Sequence, residues 1–156
     1  YVGDPEKKKT VFKSDLYYTG DKAYKDEDGY TWFVGRDDDV IKASDYRVGP
    51  FEGESILLEH ESVVESAVVG SPHAVKGFVV KAFIILNAGY DPDQKNADKI
   101  FAFAKKNLAV YKTPRIIEFV NELPKTISGK IRRVELRANE AQRKAQHQKG
   151  QHEYYS

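Results

Sequence analysis

Lys130 closes the stretch Pro124-Lys-Thr-Ile-Ser-Gly-Lys130 and stands at the mouth of a helical pattern that begins Ile131-Arg-Arg-Val-Glu-Leu. A nucleotide-binding P-loop would need a glycine five positions before Gly-Lys and a Ser or Thr directly after the lysine, to cradle phosphates and ligate magnesium. Pro124 and Ile131 occupy those places, so that chemistry is excluded. Taken alone, the loop also fits a simple turn in which Ser128 caps the next helix and Lys130 is a solvated charge. Thr19-Gly20-Asp21 offers a carboxylate in a turn, where aspartate commonly bonds its own backbone. Arg36 fits a surface ion pair, and Asp37-Asp38-Asp39 fits a solvated acidic turn. The Asp26-Glu27-Asp28 cluster resembles the start of a calcium loop. With Gly29 as its sixth position, however, Tyr24 and Gly35 would fall where carboxylates are required. His60, His73, His147 and His152 have no H-x-x-x-H or H-E-x-x-H spacing, and with no cysteine a zinc site is not expected.

The elements that must position these residues follow from periodicity. Residues 22–36 read as two short strands joined at Asp28-Gly29, a dipeptide suited to a tight hairpin. Val40 and Ile41 lead into a second small hairpin that turns at Ser44-Asp45 and returns through Tyr46 and Val48. Pro50 takes a first helical position and a short helix follows. Gly53 inside it costs about 1 kcal/mol relative to alanine, so that helix must lean on tertiary contacts. The β-branched runs SVVESAVVGSP and FVVKAFIILN read as core strands. Residues 91–110 carry a helix with apolar Ile100, Phe101, Phe103, Ala104 and Leu108. PRIIEFVNELP returns as a strand, and a basic amphipathic helix runs from Ile131 to about Ala145. The order β, α, β, β, α, β, α describes an α+β domain with a short sheet and flanking helices. The last ten residues are polar and expected to fray.

The 156 residues suffice for one compact domain with part of another. The chain begins at Tyr1 and has no methionine, which implies a piece of a longer product. Lys and Arg nearly balance Asp and Glu at a net charge of +1, so composition implies no nucleic-acid partner. No apolar run approaches the roughly 18 to 20 residues of a membrane span. The absence of cysteine excludes a disulfide framework.

Taken in order, YYTGD at 17–21, GRDDDVIKASDYRVGP at 35–50 and PKTISGKIRR at 124–133 resemble the C-terminal part of the adenylate-forming acyl-CoA synthetases. That superfamily also holds adenylation domains and luciferases, and SDYRVGPFE is most similar to the medium-chain acyl-CoA / acetyl-CoA synthetase branch. The resemblance implies a small C-terminal lid domain with a short mixed sheet flanked by helices, preceded by a β-hairpin and the last strands of a larger N-terminal domain. Residues 1–37 would end the large domain, 38–146 would be the mobile lid, and 147–156 a polar tail.

The resemblance also implies roles. Lys130 matches the adenylation lysine, which touches the substrate carboxylate and the ATP α-phosphate, a task suited to an ammonium on a flexible stem. Asp21 matches the residue that accepts from the ribose hydroxyls, Arg36 contacts the ribose, and Thr19 is a further nucleotide-site candidate. Asp38 matches the hinge, and Arg47 and Ser44 lie on the CoA face. Asp45 departs from the pattern, standing where many relatives carry glycine, and Gly53 stands where an apolar residue is expected. The implied substrates are ATP with Mg2+, CoA and a small carboxylic acid, bound mainly by an N-terminal adenylating domain as partner, with no metal held by this part. The cytoplasm is the expected compartment, and the isolated chain is expected to be inactive. Two alternatives stand beside this reading: a carrier-protein thiol as acceptor, or a stand-alone module docking an acidic partner through the basic helix (Arg132, Arg133, Arg137, Arg143, Lys144).

Overall fold

The computed structural model describes residues 4–156. They divide into two compact units, Tyr1–Val40 and Ile41–Ser156. The boundary falls three residues beyond the expected one between Asp37 and Asp38. The backbone N–H groups of Asp39 and Val40 both donate to the Arg36 carbonyl, and that turn holds the acidic run to the first unit.

In the first unit, helix α1 (Pro5–Val11) precedes the short strands β1 (Phe12–Lys13) and β2 (Leu16–Tyr17), elements without a periodic apolar signature. Strands β3 (Asp21–Lys25) and β4 (Thr31–Arg36) pair antiparallel, with Asp21 opposite Arg36. Their connection is wider than a two-residue Asp28-Gly29 turn. The Asp26 carboxylate accepts from the Tyr30 backbone N–H at 2.8 Å and from the Trp32 indole N–H at 2.6 Å, closing residues 26–30 as one loop. The bond from Trp32 holds the Asp26 carboxyl below its ordinary value. Tyr24, Tyr30, Trp32 and Phe33 are exposed, because a two-stranded ribbon has no second layer to bury them.

The second unit is built on a six-stranded mixed sheet. Strands β5 (Ile41–Ala43) and β6 (Tyr46–Val48) form the expected hairpin. Helix α2 (Pro50–Leu58) starts with proline in its first turn, as expected, and leads to the long antiparallel pair β7 (Val63–His73) and β8 (Gly77–Leu86). Helix α3 (Gln94–Asn107), capped by the Asp93 side chain, crosses over to β9 (Ile116–Phe119), which runs parallel to β8. Helix α4 (Arg133–Ala145) follows the Lys130 loop. The tail does not fray: β10 (Glu153–Tyr155) pairs antiparallel with β9.

Pleat parity decides what each face of β8 meets. Val80, Ala82 and Ile84 pack with Leu57 of α2 and with Ile100, Phe101 and Ala104 of α3. Phe83 points the other way, to Leu136 of α4, with Ala67, Val69 and Leu123. A strand covered on both faces reads as a continuous apolar run, which is why its sequence shows no alternation. Gly53 lies buried, and a Cβ there would meet Val68 at an ordinary 3.6 Å, so the tertiary support expected for α2 comes from β7.

One residue in that run is charged. Lys81 is fully buried on the α4 face, its ammonium 2.7 Å from Glu118 of β9, 2.7 Å from Glu140 of α4 and 2.5 Å from Glu153 of β10. Arg143 binds Glu118 and Lys144 binds Glu153, at 2.8 and 2.7 Å, so three cations balance three carboxylates. Ser71 donates to Glu140 at 2.6 Å. The three carboxylates converge as metal ligands would, and the Lys81 ammonium occupies the place of the cation. This network explains the tail: Glu153 is the third counter-charge, and a side chain on Gly150 would run into the Glu118 carboxylate.

Burial alone would raise the Glu153 pKa. Its bonds from Lys144, Lys81 and Tyr155 outweigh that and bring it down from 4.5 to about 2. Burial likewise opposes the charge on Lys144, but Glu153 and Tyr155 hold that ammonium above the ordinary lysine value.

Removing one member of a buried charge set strands the others, so Lys81→Ala is expected to cost about 3 to 5 kcal/mol in a urea unfolding titration. A loss under about 1 kcal/mol would show that the carboxylates repack or protonate without difficulty. The depressed carboxyl also gives a pH dependence. Stability contributed by Glu153 is complete above 4.5, the ordinary value, and drains away as pH falls toward about 2. Unfolding midpoints between these limits should fall less steeply in Glu153→Gln than in the parent chain.

Candidate functional site

The first unit brings four of the candidate residues together. The β3–β4 register sets Asp21 across from Arg36, whose guanidinium donates to the Thr19 carbonyl at 2.9 Å and to the Asp21 carboxylate at 3.3 Å. Arg36 also lies 3.8 Å from Asp38. The turn is closed by Thr19, whose hydroxyl accepts the Asp21 backbone N–H at 3.1 Å, so the Asp21 carboxylate is not consumed by its own backbone. Gly20 has φ +77, and a Cβ there would press on the Arg36 guanidinium at 3.0 Å. The result is an exposed carboxylate and guanidinium beside a hydroxyl, a set suited to a polyhydroxyl ligand.

The β5–β6 hairpin holds the second group. The positive φ of its two-residue loop falls on Ser44, at 53°, and not on Asp45, so no backbone requirement for glycine exists at Asp45. Ser44 and Tyr46 line a cavity of about 260 Å³ with Lys76, Phe78, Tyr111 and Arg115. Tyr46 stacks on Tyr111 with ring centroids 4.4 Å apart. Arg47 occupies the opposite pleat from Tyr46 and, like Asp45, does not line this cavity. The stacked tyrosines and the cations Lys76 and Arg115 carry no sequence motif; only the topology gathers them.

Lys130 lies on a loop closed by backbone bonds. Arg132 N–H donates to the Pro124 carbonyl and Thr126 N–H to the Lys130 carbonyl, both at 2.8 Å, which sets Lys125 opposite Ile131 as an antiparallel bridge. Gly129, at φ +81, donates to the Thr126 carbonyl at 2.9 Å. A side chain at Gly129 would meet nothing, so glycine serves the backbone angle and not the space. The Thr126 hydroxyl accepts the Lys130 backbone N–H at 3.1 Å and lies 2.9 Å from the Ser128 hydroxyl. Ser128 does not cap α4: the N-cap is Arg132, with no side-chain bond. The Lys130 side chain is exposed, and its ammonium has no partner among the described residues.

The base of the loop is anchored on both sides. Lys125 pairs with Glu65 of β7 at 2.8 Å, and Arg133 grips the buried Glu54 through two bonds of 2.9 and 2.6 Å. Glu54 also accepts the Val68 backbone N–H at 2.8 Å. The basic helix is therefore not a free charged face. Arg132 pairs with Glu135, Arg133 with Glu54, Arg143 with Glu118, and Lys144 with Glu153.

A family model described as "AMP-binding enzyme C-terminal domain" matches residues 52–130. The chain is 58% identical over 156 residues to "4-hydroxybutyrate--CoA ligase 1" of Metallosphaera sedula, covering 99% of this chain and 28% of that protein. It is 56% identical over 142 residues to "Acyl-coenzyme A synthetase ACSM3, mitochondrial" of Rattus norvegicus, covering 90% and 24%. It thus spans about a quarter of the length of these relatives. Among solved structures, the anthranilate CoA ligase AuaEII in complex with anthranoyl-AMP matches 92% of this chain and 28% of its own, with a TM-score of 0.82 at 41% identity. No described helix is long and apolar enough to cross a membrane.

Arg133→Ala leaves Glu54 buried without its cation, and about 3 kcal/mol of unfolding free energy should be lost in a denaturant titration. An effect below about 0.5 kcal/mol would mean that this pair does not secure the loop.

Proposed function

The chain belongs to the AMP-binding enzyme C-terminal domain family, and on that premise we propose that it is the C-terminal part of an ATP-dependent, AMP-forming acyl-CoA ligase. In the first half-reaction a carboxylate oxygen of the acid attacks the α-phosphorus of Mg2+-bound ATP. The bond to pyrophosphate breaks, leaving acyl-AMP. In the second, the CoA thiolate adds to the acyl carbonyl carbon and AMP departs with the electron pair of the broken C–O bond.

The observation that carries this reading is the Lys130 ammonium, exposed and without a partner among the described residues, on a loop whose backbone is tied by hydrogen bonds from the N–H groups of Thr126, Gly129, Lys130 and Arg132. In-line attack of one anion on another needs positive charge between them, and a cation already neutralised inside its own domain could not supply it. Asp21, with Arg36 and Thr19, takes the ribose hydroxyls in this proposal, and the weak exposed pair between Asp21 and Arg36 yields readily to a ligand. Asp38 is the proposed hinge. Around it the lid swings between a pose that presents Lys130 and a pose that presents the β5–β6 hairpin. In the second pose Ser44, Asp45 and Arg47 face CoA, and the cavity beside Ser44 offers stacked rings and cations to a nucleotide. The relatives' names, CoA ligase and acyl-coenzyme A synthetase, support CoA over a carrier-protein thiol. The internal pairing of the basic helix speaks against the stand-alone docking module. We propose the cytoplasm as its compartment, and no activity for the chain in isolation.

In the full-length enzyme, Lys130→Ala should abolish acyl-AMP formation, followed as ATP–pyrophosphate exchange, while thioester formation from supplied acyl-AMP persists. Equal loss of both half-reactions would remove Lys130 from the assigned role.

A further inference from the structure

We propose that Thr126 is a positioning residue for adenylation, its hydroxyl fixing the backbone from which Lys130 projects. This rests on the reading of Lys130 given above and adds a residue to it.

Three observations carry it. Thr126 meets Lys130 through two bonds: its N–H donates to the Lys130 carbonyl at 2.8 Å, and its hydroxyl oxygen accepts the Lys130 N–H at 3.1 Å. Both backbone groups of Lys130 are thus held by one residue, so the direction in which the Cα–Cβ bond leaves the loop is set by Thr126. The hydroxyl is also tied to Ser128 at 2.9 Å, which orients it from the other side of the turn. Finally, residues 125–130 are all exposed, and Ile127 at the tip is entirely so, at 111%. No packing holds this loop; hydrogen bonds are what give it one shape.

The physical consequence concerns the approach of the ammonium. A lysine on a four-carbon stem reaches many positions, and only those between the carboxylate and the α-phosphate lower the barrier. Anchoring the backbone narrows that set before the substrates arrive, in the manner of a preorganised site. Because Thr126 is exposed, replacing its hydroxyl by a methyl group disturbs the loop and leaves the core of the domain untouched.

The test uses the full-length enzyme with Thr126→Val, Thr126→Ser and Lys130→Ala in parallel. In Thr126→Val the kcat of acyl-AMP formation should fall about tenfold, with KM for ATP and for the acid changed less than about twofold. Thioester formation from supplied acyl-AMP should match the parent enzyme. Thr126→Ser keeps the hydroxyl and should restore adenylation to within about twofold of the parent. Amide hydrogen exchange at Lys130 should accelerate in the valine variant and stay at the parent rate in the serine variant.

Full adenylation by Thr126→Val, alongside loss in Lys130→Ala, overturns the positioning role and leaves the lysine's role intact. A drop in both half-reactions that serine does not rescue also overturns it, as would be expected of a residue that only maintains structure. Intact adenylation in Lys130→Ala overturns the underlying reading and this inference with it.

Discussion

An ammonium buried among three carboxylates is the constraint on which the second unit depends. Lys81 has no exposure at all, and an unpaired charge in that position would be prohibitively costly. It is tolerated because Glu118, Glu140 and Glu153 converge on it from β9, α4 and β10. Arg143 and Lys144 then restore neutrality for the extra carboxylates. The arrangement is specific before it is stabilising: apolar residues of similar volume would fill the same space, but they would not dictate which strand and which helix must meet there. Since α4 begins just after the Lys130 loop, the charge set that seats this helix also fixes where the loop leaves the sheet.

Stiffness and availability are divided between residues in that loop. Its base is held by Arg133 on Glu54 and Lys125 on Glu65, its backbone by internal hydrogen bonds, and the Lys130 ammonium is left without a partner among the described residues. The first unit follows a different rule. Asp21 and Arg36 face each other at 3.3 Å in the open, where water screens the pair and its net contribution is small. Such a contact holds the two groups in register at little net gain in stability.

Much of this was legible in the sequence, and the rest was not for identifiable reasons. Strands β7 and β8 announce themselves as β-branched runs, and α3 by its apolar stripe, because both signals are local. The Ser-Gly-Lys loop is legible through its motif, and the structure gives its glycine a physical reason: Gly129 serves a backbone angle that few other residues adopt. The tail carries no local sign of its strand, because Glu153 and Gly150 matter only through partners far along the chain. Lys81 left a trace that parity could have caught: a lysine inside a core strand demands a counter-charge, and Glu118 sits on the matching face of a neighbouring strand. The cavity beside Ser44 left none, since Lys76, Tyr111 and Arg115 share no spacing and meet only when β8 and the segment before β9 fold onto the hairpin.

The separation of Lys81 from its partners also governs how this unit comes together in time. Glu140 lies 59 positions further along and Glu153 lies 72, so the β7–β8 ribbon can zip early but cannot be sealed early. Until α4 and β10 dock, the ammonium lacks two of its three carboxylates. Such long-range closure slows folding, because loop entropy is lost before the final contacts form. It also weighs against premature collapse: a chain that dried this face before α4 and β10 docked would bury the ammonium short of its counter-charges, which disfavours that partly folded state.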